Sequence, residues 1–249
     1  MLGLDSTMDD RVYYGKKAVK QPKYSERLLG KYGDGSAGNT LVITADALDN
    51  EKRSISAVRK VFSALQALKI PLRGQIIGLI GNTGSRRDDL LNELQDPLSV
   101  DNAPLHQDEY LGYNRAEEFV ELIEEFEKVS AKDVYYLDLK TASNIPYICH
   151  SRNTHCKAFA AHFPFYQVMG LDAFINDHLG FYLHAKNYTC STLKVGTHAD
   201  YSVEQIHEAT IWWALVRLGC LQEADVPEFP VHRQILNSCR SEEGKRTLK

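Results

Sequence analysis

No stretch of this 249-residue chain holds the roughly 18 consecutive apolar residues that a membrane-spanning helix needs, so no such helix is expected. An excess of positive charge is also missing. Lys and Arg number 29 against 33 Asp and Glu, a formal charge of −4. Nucleic acid and anionic membranes both reward a strongly basic face, so neither is expected as a partner. The opening segment "MLGLDSTMDDRVYYGKKAVKQPKYSERL" mixes charges from Asp5 onward and has no apolar run of signal-peptide length; a cytoplasmic location is expected. Cysteine is sparse and odd in number: Cys149, Cys156, Cys190, Cys220 and Cys239 are scattered through a chain long enough to fold without staples, so free thiols are expected. No Gly-x-Ser-x-Gly elbow occurs, which weighs against a serine hydrolase, and no internal repeat or low-complexity block occurs.

What is present is an ordinary globular composition, 43% apolar and 25% charged, enough to bury one sizeable core. Residues 1–26 read as a lead-in, and the glycines and turn formers of "GKYGDGSAGNT" (30–40) precede a first strand, "LVITA" (41–45). Ile55, Val58, Phe62, Leu65 and Leu68 fall at three- and four-residue steps and predict a helix over 51–68. "RGQIIGLIGN" predicts a buried strand. A second amphipathic helix is expected over 115–129, burying Phe119, Leu122, Ile123 and Phe126 behind a solvated row of glutamates. "VYYLDLK" (134–140) and "STLKVG" (191–196) read as strands. "SVEQIHEATIWWALVRLGCL" reads as a helix with Ile206, Ala209, Trp213 and Val216 inward, and "SCRSEEGKRTLK" is polar enough to fray.

This alternation predicts an α/β domain with a mostly parallel or mixed sheet flanked by helices on both faces. Ligands of such sheets sit beyond the carboxyl ends of the strands. Three tips therefore matter: 45–51, 138–143 and 193–198. At the second, an apolar strand delivers Asp138 and Lys140 followed by small hydroxylic residues. Asp138 is expected to accept hydrogen bonds as a strand-end carboxylate.

In order along the chain, "ADALDNEKRS", "ALKIPLRGQIIGLIGN", "DLKTAS", "LKVGTHAD" and the closing "IHEATIWWALVRLGCL" resemble the succinylglutamate desuccinylase and aspartoacylase family. These are zinc amidohydrolases of zinc-carboxypeptidase-like (phosphorylase/hydrolase-like) fold. The resemblance covers about 27–221. It implies an α/β domain over 27–230 and a polar tail over 231–249, without the C-terminal β-rich domain of many relatives. An open cleft without that domain is a poor setting for amide hydrolysis.

The resemblance implies a site in which the first tip supplies a histidine and a glutamate as zinc ligands, the second a histidine ligand and the third a glutamate base. Here Leu48 stands at the first histidine position and Glu51 is retained. Lys140 stands at the second histidine position and Lys194 at that of the base. Leucine donates nothing to zinc, and a protonated lysine has no free lone pair. The family's arginine box after the Gly-Asn pair Gly81–Asn82 is reduced to "GNTGSRRDDLLNELQDP", leaving Asn82, Arg86 and Arg87 as candidate substrate contacts and Glu93 at an arginine position. His198 matches a family histidine and reads either as a substrate contact or as a hydrogen-bonded loop residue.

The expected function is therefore a catalytically degenerate member, retained to bind a small molecule or a protein, a second copy of the chain included, with no cofactor and with Lys140 beside Glu51 in place of the lost metal. The alternative is an active zinc-dependent hydrolase of N-acyl amino acids or related amides, its metal held by Glu51, His198 and a further ligand. "CHSRNTHC" (149–156) concentrates two thiols and two imidazoles; it reads as a cleft wall or as a minor metal site, because zinc motifs normally draw ligand pairs from two segments.

Overall fold

The computed structural model describes residues 28–45, 52–80, 133–141, 143–170, 188–196 and 202–246. Seven strands form one mixed sheet: β1 (Leu28–Gly33), β2 (Thr40–Ala45), β3 (Gln75–Ile80), β4 (Val134–Lys140), β5 (Ser143–His150), β6 (Tyr166–Met169) and β7 (Thr189–Gly196), in the order β1-β3-β2-β4-β7-β5-β6. The central four, β3-β2-β4-β7, are parallel. β1 closes one side antiparallel to β3, and β5 runs antiparallel to β7 before β6 joins it in parallel. This is the expected α/β architecture with a mixed sheet. Among the described residues no helix is long and apolar enough to cross a membrane.

The larger core lies on one sheet face, where Leu41, Ile43, Leu137, Leu139, Leu193 and Val195 meet the helices. Helix α1 (Lys52–Ala67) presents Ile55, Val58, Phe62 and Leu65 to it, all buried. Gly30 and Gly78 are register partners on β1 and β3 and make the slot that receives the Phe62 ring. A Cβ at Gly78 would lie 2.7 Å from Phe62 Cε2, and one at Gly30 would lie 2.9 Å from the same ring. Leu68, expected on the buried face, is instead exposed. The helix has ended: Lys69 turns left-handed at φ 51°, the Ile70 N–H bonds back to the Leu65 carbonyl at 3.1 Å, and Ile70 takes the buried place. This is the usual six-to-one closure with a hydrophobic residue behind it.

Helix α2 (Thr154–Ala160) follows β5, α3 (Ser202–Arg217) packs on α1, and α4 (Phe229–Arg246) packs on α3. Ile206 and Ala209 are buried as expected, but the core tryptophan is Trp212. Trp213 lies at the periphery, stacked on Phe229 at 5.8 Å, with the Arg217 guanidinium 4.6 Å from its ring centroid and its Nε1 donating to the His162 carbonyl at 2.6 Å. The reason is that α3 is enclosed by β7, α1 and α4. It buries Val203, Ile211, Ala214 and Leu215 as well, so no single stripe defines its inner face. The segment expected to fray is helical to Arg246.

Three strands, β1, β5 and the four-residue β6, escape the sequence reading. β1 runs into the stretch 30–40 whose glycines and turn formers predict no strand, glycine occupying two of its six positions. β5 contains Pro146, and the ladder with β7 is irregular between Ser143 and Tyr147, where a proline is tolerated. The helix expected over 115–129 and the lead-in 1–26 lie outside the described residues.

Candidate functional site

β2, β4 and β7 are adjacent and parallel, so their carboxyl ends, at Ala45, Lys140 and Gly196, lie at the same end of the sheet. Strand alternation sends Leu137 and Leu139 into the helix-covered core and Tyr136, Asp138 and Lys140 to the opposite face. Register then builds two cross-strand rows on that opposite face. The first is Thr44, Asp138, Thr192 and Cys149, one residue from each of four neighbouring strands, all buried. The second, one step nearer the strand ends, is Lys140, Lys194 and Tyr147.

The first row is hydrogen-bonded in a defined sense. Thr44 Oγ1 donates to Asp138 Oδ1 at 2.6 Å. Having given its single proton there, the hydroxyl accepts from the Tyr136 phenol, 2.7 Å away. Asp138 Oδ2 lies 3.5 Å from Lys140 Nζ, the carboxylate side chain 7% exposed and the lysine 22%. The carboxylate therefore sits between a donated hydroxyl and an ammonium, the arrangement that stabilises a buried charge. Asp138 does the hydrogen-bonding work expected of it. Lys140, expected beside Glu51, has Asp138 as a charge partner; Glu51 lies outside the described residues.

Lys194 neighbours Lys140 across the β4–β7 ladder and Tyr147 across the β5–β7 ladder. Burial pushes the Cys149 thiol up, against a smaller opposing pull from the Lys194 ammonium. Burial likewise pushes the Tyr147 phenol up. Behind the tip, on the core side, His207 of α3 is fully buried. Its ring lies toward the Lys140 carbonyl without reaching ordinary hydrogen-bond geometry, so both ring nitrogens lack a partner. Desolvation lowers its pKa to about 3, with the Lys140 carbonyl opposing. The imidazole is neutral at physiological pH.

Of the residues proposed from sequence, Lys140 and Lys194 are brought together. Leu48, Glu51, Asn82, Arg86, Arg87 and His198 lie outside the described residues. The "CHSRNTHC" cluster does not converge. Cys149 joins the polar row and His150 points to the other side, with Nδ1 2.7 Å from the Ser151 carbonyl. His155 is exposed in the first turn of α2, its N–H capped by Asn153 at 2.8 Å. Cys156 turns into a small apolar cluster. Among the described residues no group of three or more His, Cys, Asp or Glu is placed to hold a metal ion. Among the described residues of the second and third tips, Lys140 and Lys194 each present an ammonium and Asp138 is already held by Thr44 and Lys140, which is not a zinc donor set.

Sequence reading missed the Tyr136–Thr44–Asp138 chain and the place of His207. Period-two alternation already puts Tyr136, Asp138 and Lys140 on one face. Thr44 joins them only once the β2–β4 register is known.

Neither a family model nor a curated protein sequence matches the chain. Solved structures do. A product-bound structure of the ectoine utilization protein EutE (DoeB) from Ruegeria pomeroyi superposes with a TM-score of 0.50 at 14% identity, over 77% of this chain and 60% of that one. Succinylglutamate desuccinylase from Chromobacterium violaceum gives a TM-score of 0.50 at 13% identity, over 78% and 70%. The chain thus spans about 60% of the length of the EutE protein. At these identities the likeness shows the fold: an α/β domain of the zinc-carboxypeptidase-like kind that succinylglutamate desuccinylase adopts.

Proposed function

We propose that this chain is a catalytically degenerate member of the desuccinylase/aspartoacylase hydrolases, using its three convergent strand tips to bind a small carboxylate-bearing molecule in place of zinc-dependent amide cleavage. One observation carries the reading: Lys140 and Lys194 stand side by side in register at positions where the resemblance expects a metal ligand and a general base. Neighbouring strands lie about 4.8 Å apart, so the bases of two cationic side chains are held close and their charges repel. Asp138 offsets one of them. Among the described residues the charge of Lys140, Lys194 and Asp138 sums to one positive, which favours an anion at the strand tips, and lysine serves an oxyanion as a point charge. A zinc ion would meet net repulsion instead.

Titration calorimetry of the purified protein with zinc and with succinate tests this. Succinate binding that Lys194→Gln weakens about tenfold, a loss of about 1.4 kcal/mol, with no tight zinc site, is the expected result. Near-stoichiometric tight zinc together with hydrolysis of N-acyl amino acids would overturn the reading in favour of the active metal-dependent hydrolase.

A further inference from the structure

On the polar side of the sheet, away from the strand tips, Cys156 of α2 and Cys190 of β7 share one small buried cluster with Val42, Ile77, Leu79 and Tyr136. The Cys190 backbone N–H donates to Cys156 Sγ at 3.4 Å, and that same sulfur donates its proton to the Tyr188 carbonyl at 3.5 Å. Cys156 Sγ thus rests directly against the backbone of residue 190. The Cys190 side chain shares the same buried cluster, and its proximity to Cys156 is the first cause of its raised pKa. Both residues are free thiols. Neither belongs to the strand-tip site, and no metal-ligand group includes them among the described residues.

We propose that Cys156 and Cys190 are a redox pair that closes to a disulfide, fastening α2 to β7. Cys156 Sγ lies 3.4 Å from the Cys190 backbone nitrogen, so rotation of the two side chains can bring the sulfurs to bonding distance, with α2 and β7 setting the roughly 3.5–4.5 Å that a disulfide needs between its β-carbons. The oxidant is a low-molecular-weight disulfide. The thiolate of one cysteine attacks it, releasing one small thiol and leaving a mixed disulfide. The second cysteine then displaces the other small thiol. One S–S bond forms in the protein as one breaks in the oxidant, two electrons pass to the small disulfide, and both cysteine protons end on the released thiols.

Burial decides the kinetics. The contact with Cys156 and desolvation together push the Cys190 thiol up, and a thiol that rarely ionises attacks slowly. Oxidation therefore proceeds through opening of α2, a helix of only seven residues, and the same burial shields the product from reduction. The pair is a latch that sets under sustained oxidation. The bond would enclose a sequence separation of 34 residues, long enough for a cross-link to restrict the unfolded chain appreciably.

The test is incubation of the full chain with oxidised glutathione, with and without sub-denaturing urea. Peptide mapping without reduction and a count of thiols in denaturant follow. The expected result is a linked Cys156–Cys190 peptide pair, a fall from five thiols to three, faster closure in urea, and a melting temperature raised by about 5 °C or more. Cys156→Ser and Cys190→Ser should each abolish both the linked pair and the thermal gain. If either variant fails to fold, the wild-type peptide map decides alone. Glutathione adducts on Cys149 or Cys239 with Cys156 and Cys190 still reduced would overturn the proposal. So would a different linked pair, or no linkage even in urea.

Discussion

The two faces of the β2–β4–β7 ladder are built from alternate residues of the same strands, yet they obey different rules. On the helix-covered face Leu41, Ile43, Leu137, Leu139, Leu193 and Val195 are fully or almost fully buried and meet other apolar groups. On the other, Thr44, Asp138 and Thr192 are also buried, but as a polar row held by hydrogen bonds and an ion pair. The first face is made of interactions that many apolar side chains could supply. The second requires particular donors and acceptors in register. Burial alone therefore does not separate scaffold from site here; the chemistry of the buried row does.

The largest effect should come from damaging the apolar face. Leu137→Ala, one residue from Asp138, should lower unfolding free energy by about 3 kcal/mol, lost transfer energy plus an unfilled cavity. Denaturant unfolding checks it, and succinate affinity of the remaining folded protein should be unchanged. If affinity falls with stability, the two faces are not separable.

Acid sharpens the contrast. His207 has a folded pKa lowered to about 3 against an ordinary value of 6.5, so between those values the unfolded chain takes up the proton first. The stability this neutral imidazole permits is complete above about pH 6.5 and is lost as pH falls toward 3, by at most about 1.4 kcal/mol per pH unit. His232 and His162, both lowered chiefly by burial, act in the same sense. His207→Leu should flatten the acid limb of the stability curve relative to the parent; an unchanged limb would show that His207 does not titrate on unfolding.

The smallest effect belongs to the outer surface. Lys60 pairs with Glu204 and, at 4.0 Å, with Glu208 across α1 and α3, its side chain 53% exposed. The Glu204 contact is what chiefly raises the Lys60 pKa. Lys60→Met should cost only about 0.2–1 kcal/mol and less in high salt, measured by urea unfolding at two ionic strengths.

Much of the scaffold was legible because apolar periodicity is a local property. Val58, Phe62 and Leu65 announce α1, and the apolar runs of β2, β3 and β4 announce buried strands. Where local rules misled, a tertiary contact had overruled them. The Gly30–Gly78 slot turns a glycine-rich stretch into a strand, a ladder irregularity admits Pro146 into β5, and enclosure of α3 leaves Trp212 rather than Trp213 in the core. The site was legible in part for the same reason. Lys140 and Lys194 could be placed at strand tips by pattern, but the partnership of Lys140 with Asp138, and of Asp138 with Thr44, depends on side chains meeting within and across strands.

The strand order also sets a timetable. β2 gains β3 on one edge soon after both are made, but its other edge is completed by β4, and the Thr44–Asp138 contact spans 94 residues of sequence. A ribosome adding about 5–20 residues per second leaves that edge of β2, every residue of which is buried in the finished protein, waiting some 5–20 s for its neighbour. The strand that anchors the polar row is thus the nascent chain's most exposed hazard, open to pairing with other chains until synthesis has passed residue 140 and cleared the exit tunnel.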